Sequence, residues 1–161
     1  MIQRIQTVYL ALVIILSFVG LISTIGEYYV AGQSVAAFSN FTFNATGAFK
    51  SYQSTGPYCL GILLIMVIFL SLMSIMLFRK RMRQLRLTIV STILLVGYVA
   101  AYALFAYFYR ENLALVQPNA EVMFHVRFIG VFPVLSIILN ILAIQGIRKD
   151  EAIVRSLDRL R

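Results

Sequence analysis

The chain is poor in the residues from which most catalytic and cofactor sites are built. It has one cysteine, Cys59, one histidine, His125, and no tryptophan among its 161 residues. A single cysteine excludes an internal disulfide and a thiolate cluster for zinc or an iron–sulfur centre. One histidine, without a nearby nucleophile or a glycine-rich phosphate loop, gives neither a catalytic triad nor a nucleotide motif. We therefore expect no enzyme, no cofactor and no metal site.

Charged residues are also scarce, and this composition is typical of membrane proteins. Only 12% of the residues are charged and 61% are hydrophobic, whereas soluble domains have about 25% charged and about 45–50% apolar residues. Four stretches without any charge are long enough for a helix to cross a hydrocarbon core of about 30 Å. They are Ile5–Ile25, Tyr58–Phe78, Leu87–Tyr109 and Phe128–Ile147. The sequence predicts one all-α integral membrane domain with four transmembrane helices.

The basic residues indicate how these helices are oriented. Four spans put the N-terminus, the segment 79–86 ("RKRMRQLR") and the C-terminal tail on one side. That side carries eleven of the fourteen basic residues and three of the six acidic ones, so the whole net charge of +8 lies there. Positively charged loops remain in the cytoplasm, which predicts that both termini are cytoplasmic. The charge would also attract anionic head groups of the lipid bilayer, and it does not imply nucleic acid.

The segments on the opposite side predict little regular structure. "YYVAGQ" (28–33) and "AFSNFTFNATGAF" (37–49) indicate a small hairpin or loop after the first span, because polar Asn40, Thr42 and Asn44 alternate with apolar residues. In the second outer segment, Glu121 and His125 would share one face if that segment were helical. An ion pair or head-group contact is the expected role of these two residues. The alternative is an outer-face membrane enzyme that also uses Glu27.

A few polar residues lie inside the predicted spans. Ser71, Ser74, Ser91 and Asn140 fall at similar depths in the second, third and fourth spans, counted from the cytoplasmic side. A buried asparagine is costly unless it is bonded, so we expect hydrogen bonds between helices. The alternative is a small-molecule or lipid binder or transporter with a polar cavity near Asn140.

The last fourteen residues predict an amphipathic helix, 148–161, that follows the fourth span. Its apolar residues recur at spacings close to three and four, and arginines occupy the other positions. Asp150 and Glu151 precede the apolar set, where a helix start tolerates acidic residues. Such a helix either lies in the head-group layer or docks onto a partner.

Two ends of the chain carry a resemblance to a known family. The opening "MIQRIQTVYL", the four spans with a longer first outer loop, and the ending "IRKDEAIVRSLDRLR" resemble a family of small four-helix membrane proteins from the Bacteroidota. That family is catalogued only as a domain of unknown function. The resemblance covers essentially the whole chain and implies a bacterial inner-membrane protein, with no catalytic residue to carry over.

Together these features predict a non-enzymatic accessory or assembly subunit of a larger bacterial inner-membrane complex. Its partner would be another membrane protein, met at a cytoplasmic surface formed by the N-terminus, the arginine segment and the tail. Gln6 lies within an uncharged span, so we expect its side chain to face protein. The candidate docking residues are Arg4, Gln6, Arg79, Lys80, Arg81, Arg83, Arg86, Arg148, Arg155, Leu157, Arg159 and Leu160.

Overall fold

The protein consists of four long helices and a small antiparallel sheet. The computed structural model describes residues 2–30, 32–47, 50, 57–78, 81–116 and 121–159. The helices are α1 (Ile2–Ile22), α2 (Tyr58–Met76), α3 (Arg81–Val116) and α4 (Phe132–Arg159). The strands are β1 (Thr24–Val30), β2 (Gln33–Ser39), β3 (Phe43–Ala45) and β4 (Val122–Val126), and a short 3₁₀ helix (Phe128–Val131) leads into α4.

The helices form a bundle in which each helix packs against two neighbours. α1 and α3 both contact α2 and α4. All four helices are long and apolar enough to cross a membrane. Large apolar side chains are buried inside, as at Leu64 and Leu95, and exposed outside, as at Phe69 and Ile93. A helix that is apolar all round is typical of a span whose outer surface faces lipid.

All four predicted spans differ from the helices in at least one end, and the differences at α1 and α3 have clear causes. The first helix ends at Ile22 because β1 begins at Thr24, three residues before the first charge of that segment. α3 begins at Arg81, so most of the segment 79–86 belongs to a helix and not to a loop. An uncharged run marks only the part of a helix that lies in hydrocarbon, and arginine is a good helix former outside it. At about 1.5 Å per residue, the 36 residues of α3 extend well past a core of about 30 Å.

The prediction of a separate C-terminal amphipathic helix is wrong in its boundary. α4 is continuous from Phe132 to Arg159, and no proline follows Pro133 to break it. Its buried positions Asn140, Ala143, Ile147 and Asp150 recur at spacings of three and four. The apolar spacing at the start of the tail therefore continues the face of α4 that points into the bundle.

The sheet is larger than the predicted hairpin, because the second outer segment joins it. The strand order is β3-β2-β1-β4, with all pairs antiparallel. A hairpin is present after the first helix, as predicted, but its strands are β1 and β2 and it turns at Gly32, whose positive φ of 79° suits glycine. The segment around Glu121 and His125 is not helical: β4 pairs with β1, and His125 lies opposite Glu27. The alternation over residues 40–45 is not one strand either, since residues 40–42 form a bend between β2 and β3.

Aromatic side chains join the inner face of the sheet to the outer end of the bundle. Tyr28, Phe38 and Phe43 are fully buried, and the ring of Phe43 stacks on Tyr109 of α3 at a centroid distance of 4.2 Å. The Tyr28 hydroxyl donates to the carbonyl oxygen of Ala106 at 2.9 Å. Burial raises the pKa of Tyr28, so this hydroxyl remains a donor. The sheet and the bundle thus share one core.

The bend between β2 and β3 places Asn40 at the centre of the bundle mouth. Its Nδ2 donates to the carbonyl oxygen of Gly20 at 2.6 Å, and its Oδ1 accepts from the Tyr98 hydroxyl at 2.7 Å. Its carbonyl oxygen accepts from the backbone N–H of Gly61 at 3.3 Å. One fully buried asparagine therefore connects α1, α2 and α3.

This arrangement predicts that Gly61→Ala destabilises the fold. A Cβ at position 61 would overlap the Phe41 ring, at 2.7 Å from its Cζ. Overpacking of this kind costs about 1–3 kcal/mol of unfolding free energy. The measurement is thermal unfolding in detergent, followed by circular dichroism.

Gly97→Ala is the matched control, since a Cβ there meets nothing within 4 Å. Alanine should favour the helix at this position by about 0.5–1 kcal/mol. Equal unfolding temperatures for the two variants would contradict the close contact at the bundle mouth.

Candidate functional site

Buried polar residues and exposed basic residues lie together at one end of the bundle. The start of α1, the start of α3 and the last third of α4 meet there, at Gln6, Arg81 and Asp150. We call this region the basic end, since its described residues include eight basic and three acidic ones.

Asp150 is the residue around which the basic end is organised. Its Oδ2 accepts a hydrogen bond from Nε2 of Gln6 at 2.8 Å. Its main-chain oxygen accepts from Nη1 of Arg81 at 3.0 Å. Gln6 and Asp150 are only 5% and 7% exposed. Asp150 therefore connects α4 to both α1 and α3.

Gly146 allows α1 and α4 to approach closely at this point. A Cβ at this position would lie 3.0 Å from Cγ and 3.3 Å from Nε2 of Gln6. Any larger residue would push the Gln6 amide away from the Asp150 carboxylate. The pair is thus supported by the helix packing as well as by its own hydrogen bond.

The sequence analysis named Gln6 and Arg81 as candidates but placed Asp150 at the start of a separate amphipathic helix, whereas it lies within the continuous helix α4 and is buried. The available signal was its spacing: Asp150 lies three residues after Ile147 and seven after Ala143, on the interior face of α4.

The other candidate docking residues are distributed unevenly. Arg83, Arg86 and Arg148 are exposed on the surface of the basic end. Arg79, Lys80 and Leu160 lie outside the described residues. Four positions, Arg4, Arg155, Leu157 and Arg159, belong to the helices α1 and α4 but have side chains outside the description.

A cleft opens at the basic end between α1 and the α2–α3 connection. Its volume is about 390 Å³, within the range of about 300–1,000 Å³ that is usual for ligand sites. One part of its wall is apolar, and the other carries two amides, a hydroxyl and a guanidinium. The lining residues are Gln6, Thr7, Val8, Ala11, Phe78, Arg81 and Gln84.

Three of the four intramembrane candidates are brought into contact. Nδ2 of Asn140 donates to Oγ of Ser91 at 3.0 Å, and Oγ of Ser91 lies 3.4 Å from Oγ of Ser71. Ser74 lies one turn away and contacts Oγ1 of Thr88 at 3.0 Å. Asn140, Ser71 and Ser91 are fully buried. These contacts connect α2, α3 and α4.

On the opposite side of the molecule, Glu27 is engaged in the sheet. Its carboxylate pairs with Nη2 of Arg127 at 3.0 Å and accepts from the Tyr29 hydroxyl at 2.9 Å. That hydrogen bond and the adjacent negative charge raise the pKa of Tyr29. Glu121 precedes β4, so at about 3.3 Å per residue it lies about 13 Å along the chain from His125. Among the described residues, no three histidine, cysteine or acidic side chains are grouped as a metal would require.

The buried pair predicts a strong dependence of stability on the Gln6–Asp150 contact. Gln6→Leu leaves the Asp150 carboxylate buried without its side-chain donor, which costs about 1.5–3 kcal/mol of unfolding free energy. The double variant Gln6→Leu/Asp150→Leu should recover most of that loss, because no unpaired charge remains. Thermal unfolding of both variants in detergent measures the difference.

Gln145→Leu provides the control, because Gln145 is exposed on α4 and should change stability by less than about 0.5 kcal/mol. If Gln6→Leu is as stable as Gln145→Leu, the pair does not hold α1 to α4.

The comparison with known families covers almost the whole chain. Residues 2–160 match the model of a domain of unknown function, DUF4293. The chain belongs to this family. No curated protein matches the chain.

Proposed function

We propose that, as a member of this family, the chain is a non-enzymatic accessory or assembly subunit of a larger bacterial inner-membrane complex. In this proposal both termini are cytoplasmic, and the basic end is the docking surface for a partner membrane protein. The observation that carries it is the unbroken course of α4 beyond its uncharged span. At about 1.5 Å per residue, residues 148–159 reach about 18 Å past Ile147.

The fixed direction of α4 supports a docking role for its last turns. A helix designed to lie in the head-group layer needs a bend at the membrane surface, and α4 has no break there. The bonds from Asp150 to Gln6 and Arg81 also hold α4 where it leaves the span. A projecting helix held in this way presents its side chains with little loss of entropy on binding, which favours a protein partner.

The distribution of charge supports the proposed orientation. Among the described residues, the basic end holds eight basic and three acidic residues, whereas the sheet side holds three of each. Short basic segments next to spans are retained in the cytoplasm.

The two alternative functions receive less support from the geometry. A binder or transporter that uses Asn140 would need an opening beside it, whereas Asn140 is fully buried. Its Nδ2 donates to Ser91, and its Oδ1 has no hydrogen-bond partner among the described residues. An outer-face enzyme would need Glu27 free to react, whereas that carboxylate is engaged by Arg127 and Tyr29.

The orientation can be tested by cysteine labelling. Cys59→Ser removes the only cysteine, and Asn44→Cys or Arg83→Cys then adds one at an exposed position of the sheet or of the basic end. We expect a membrane-impermeant maleimide to label Asn44→Cys in spheroplasts and Arg83→Cys only after lysis. The reverse pattern would contradict cytoplasmic termini.

The docking role predicts that a partner is lost with the last turns of α4. Full-length protein and a chain truncated after Ala152 are extracted from native membranes in mild detergent and analysed by native gels and mass spectrometry. Truncation at this point keeps Asp150 and its contacts, so a loss of partner would not result from a loosened bundle. We expect a stoichiometric partner with the full-length chain only.

Lys50→Gln serves as the control for removal of a positive charge, because Lys50 is exposed between β3 and α2, on the sheet side of the molecule. A full-length chain that is purified alone, or a partner retained by the truncated chain, would contradict docking through the tail.

A further inference from the structure

The cleft at the basic end combines a cationic rim with an apolar wall. Arg81, Gln84 and Gln6 provide the polar groups, and Val8, Ala11 and Phe78 provide the apolar ones. A purely apolar groove would suit any hydrocarbon, and a purely polar one would suit a soluble ion. The combination suits a ligand that has an anionic group attached directly to an apolar body.

Arg81 is held in position by a bond to the main chain of α4. Nη1 donates to the main-chain oxygen of Asp150 at 3.0 Å, and a carbonyl oxygen carries only a partial negative charge. The carboxylate of the same residue accepts from Gln6 and does not line the cleft. The remaining guanidinium donors match the geometry of phosphate oxygens, which arginine binds in a bidentate manner.

Arg81 and Gln84 reach the cleft from the same face of α3. Arg81 is the first residue of this helix and Gln84 lies one turn later, so their side chains are neighbours on the helix surface.

The apolar wall is continuous with the lipid-facing surface of the bundle. Val8 and Phe78 are 54% and 53% exposed, and both line the cleft. A phosphate beside Arg81 would therefore have its apolar substituents next to Val8, Ala11 and Phe78. A free phosphate ion would leave this part of the cleft unused.

We propose that the cleft is a binding site for one anionic membrane phospholipid. Its phosphate is bound by Arg81 with the amide of Gln84, and its glycerol and upper acyl carbons contact Val8, Ala11 and Phe78. The proposal rests on the membrane placement given under the proposed function and requires no partner protein.

The test compares lipids and variants on the full-length chain, purified and delipidated in detergent. Phosphatidylglycerol and phosphatidylcholine with the same acyl chains are titrated, and bound lipid is counted by native mass spectrometry. We expect one phosphatidylglycerol per chain, bound about tenfold or more tightly than phosphatidylcholine. Arg81→Gln should weaken phosphatidylglycerol binding by about tenfold or more, because it removes the charged bidentate donor.

Arg83→Gln is the matched control, since it removes the same charge from an exposed position outside the cleft. Equal weakening by Arg81→Gln and Arg83→Gln would mean diffuse attraction and would overturn the site. Inorganic phosphate should not displace the lipid at equal concentration; full displacement would assign the site to free phosphate instead.

Ala11→Phe tests the apolar wall without changing any charge. It therefore tests lipid binding in the cleft even if Arg81→Gln fails to fold. We expect it to fill the cleft and abolish saturable binding while the lipid-free unfolding temperature stays close to that of the parent chain. Retained binding would overturn the proposal. Lipid binding without a partner would contradict the proposed docking role alone, so the two failures are distinguishable.

Discussion

The structure depends on hydrogen bonds that a few buried polar groups form between the helices inside an apolar bundle. Lipid tails are as apolar as leucine, so apolar contacts alone discriminate poorly between one helix arrangement and another. Hydrogen bonds between helices are directional and supply the discrimination. Three such layers occur along the bundle axis, formed around Asn40 at the sheet, around Ser91 in the middle and around Asp150 at the basic end. Each layer bonds three elements, so together they fix how the four helices are packed.

The two outer layers also determine how the parts outside the bundle are attached. Asn40 lies in the bend between β2 and β3 and bonds to Gly20 and Tyr98. These bonds attach the sheet to α1 and α3. Asp150 has the equivalent position at the other end, where it sets the direction in which α4 leaves the bundle. A carboxylate is a demanding choice for this task, because a buried charge without partners would destabilise the fold. A buried carboxylate makes the helix packing specific, since only an arrangement that places a donor such as the Gln6 amide beside Asp150 satisfies the charge.

The sequence was sufficient where a pattern is local and insufficient where a pairing is distant. Uncharged runs predicted four helices, and "YYVAGQ" together with "AFSNFTFNATGAF" predicted a small hairpin after the first of them. The pairing of β4 with β1 joins segments about a hundred residues apart, as between Glu27 and His125, and no local periodicity records it. Asn40 was assigned to the polar face of a strand because alternation cannot distinguish a strand from a bend held by Gly20 and Tyr98. Of the candidate site, Gln6 and Arg81 were identified from charge and position. The buried position of Asp150 could be predicted only by assuming that α4 continues beyond Ile147.

The basic end illustrates why orientation and function have to be argued separately. Any lysine or arginine on the correct side serves the positive-inside rule, wherever on that side it lies. Most of the eleven basic residues could therefore be exchanged without consequence for topology. Arg81 differs because it is bonded to Asp150, begins α3 and lines a cleft with an apolar wall. None of these three properties is needed to orient a span: the bond to Asp150 holds α3 to α4, and the cleft beside Arg81 is where the proposed lipid would bind.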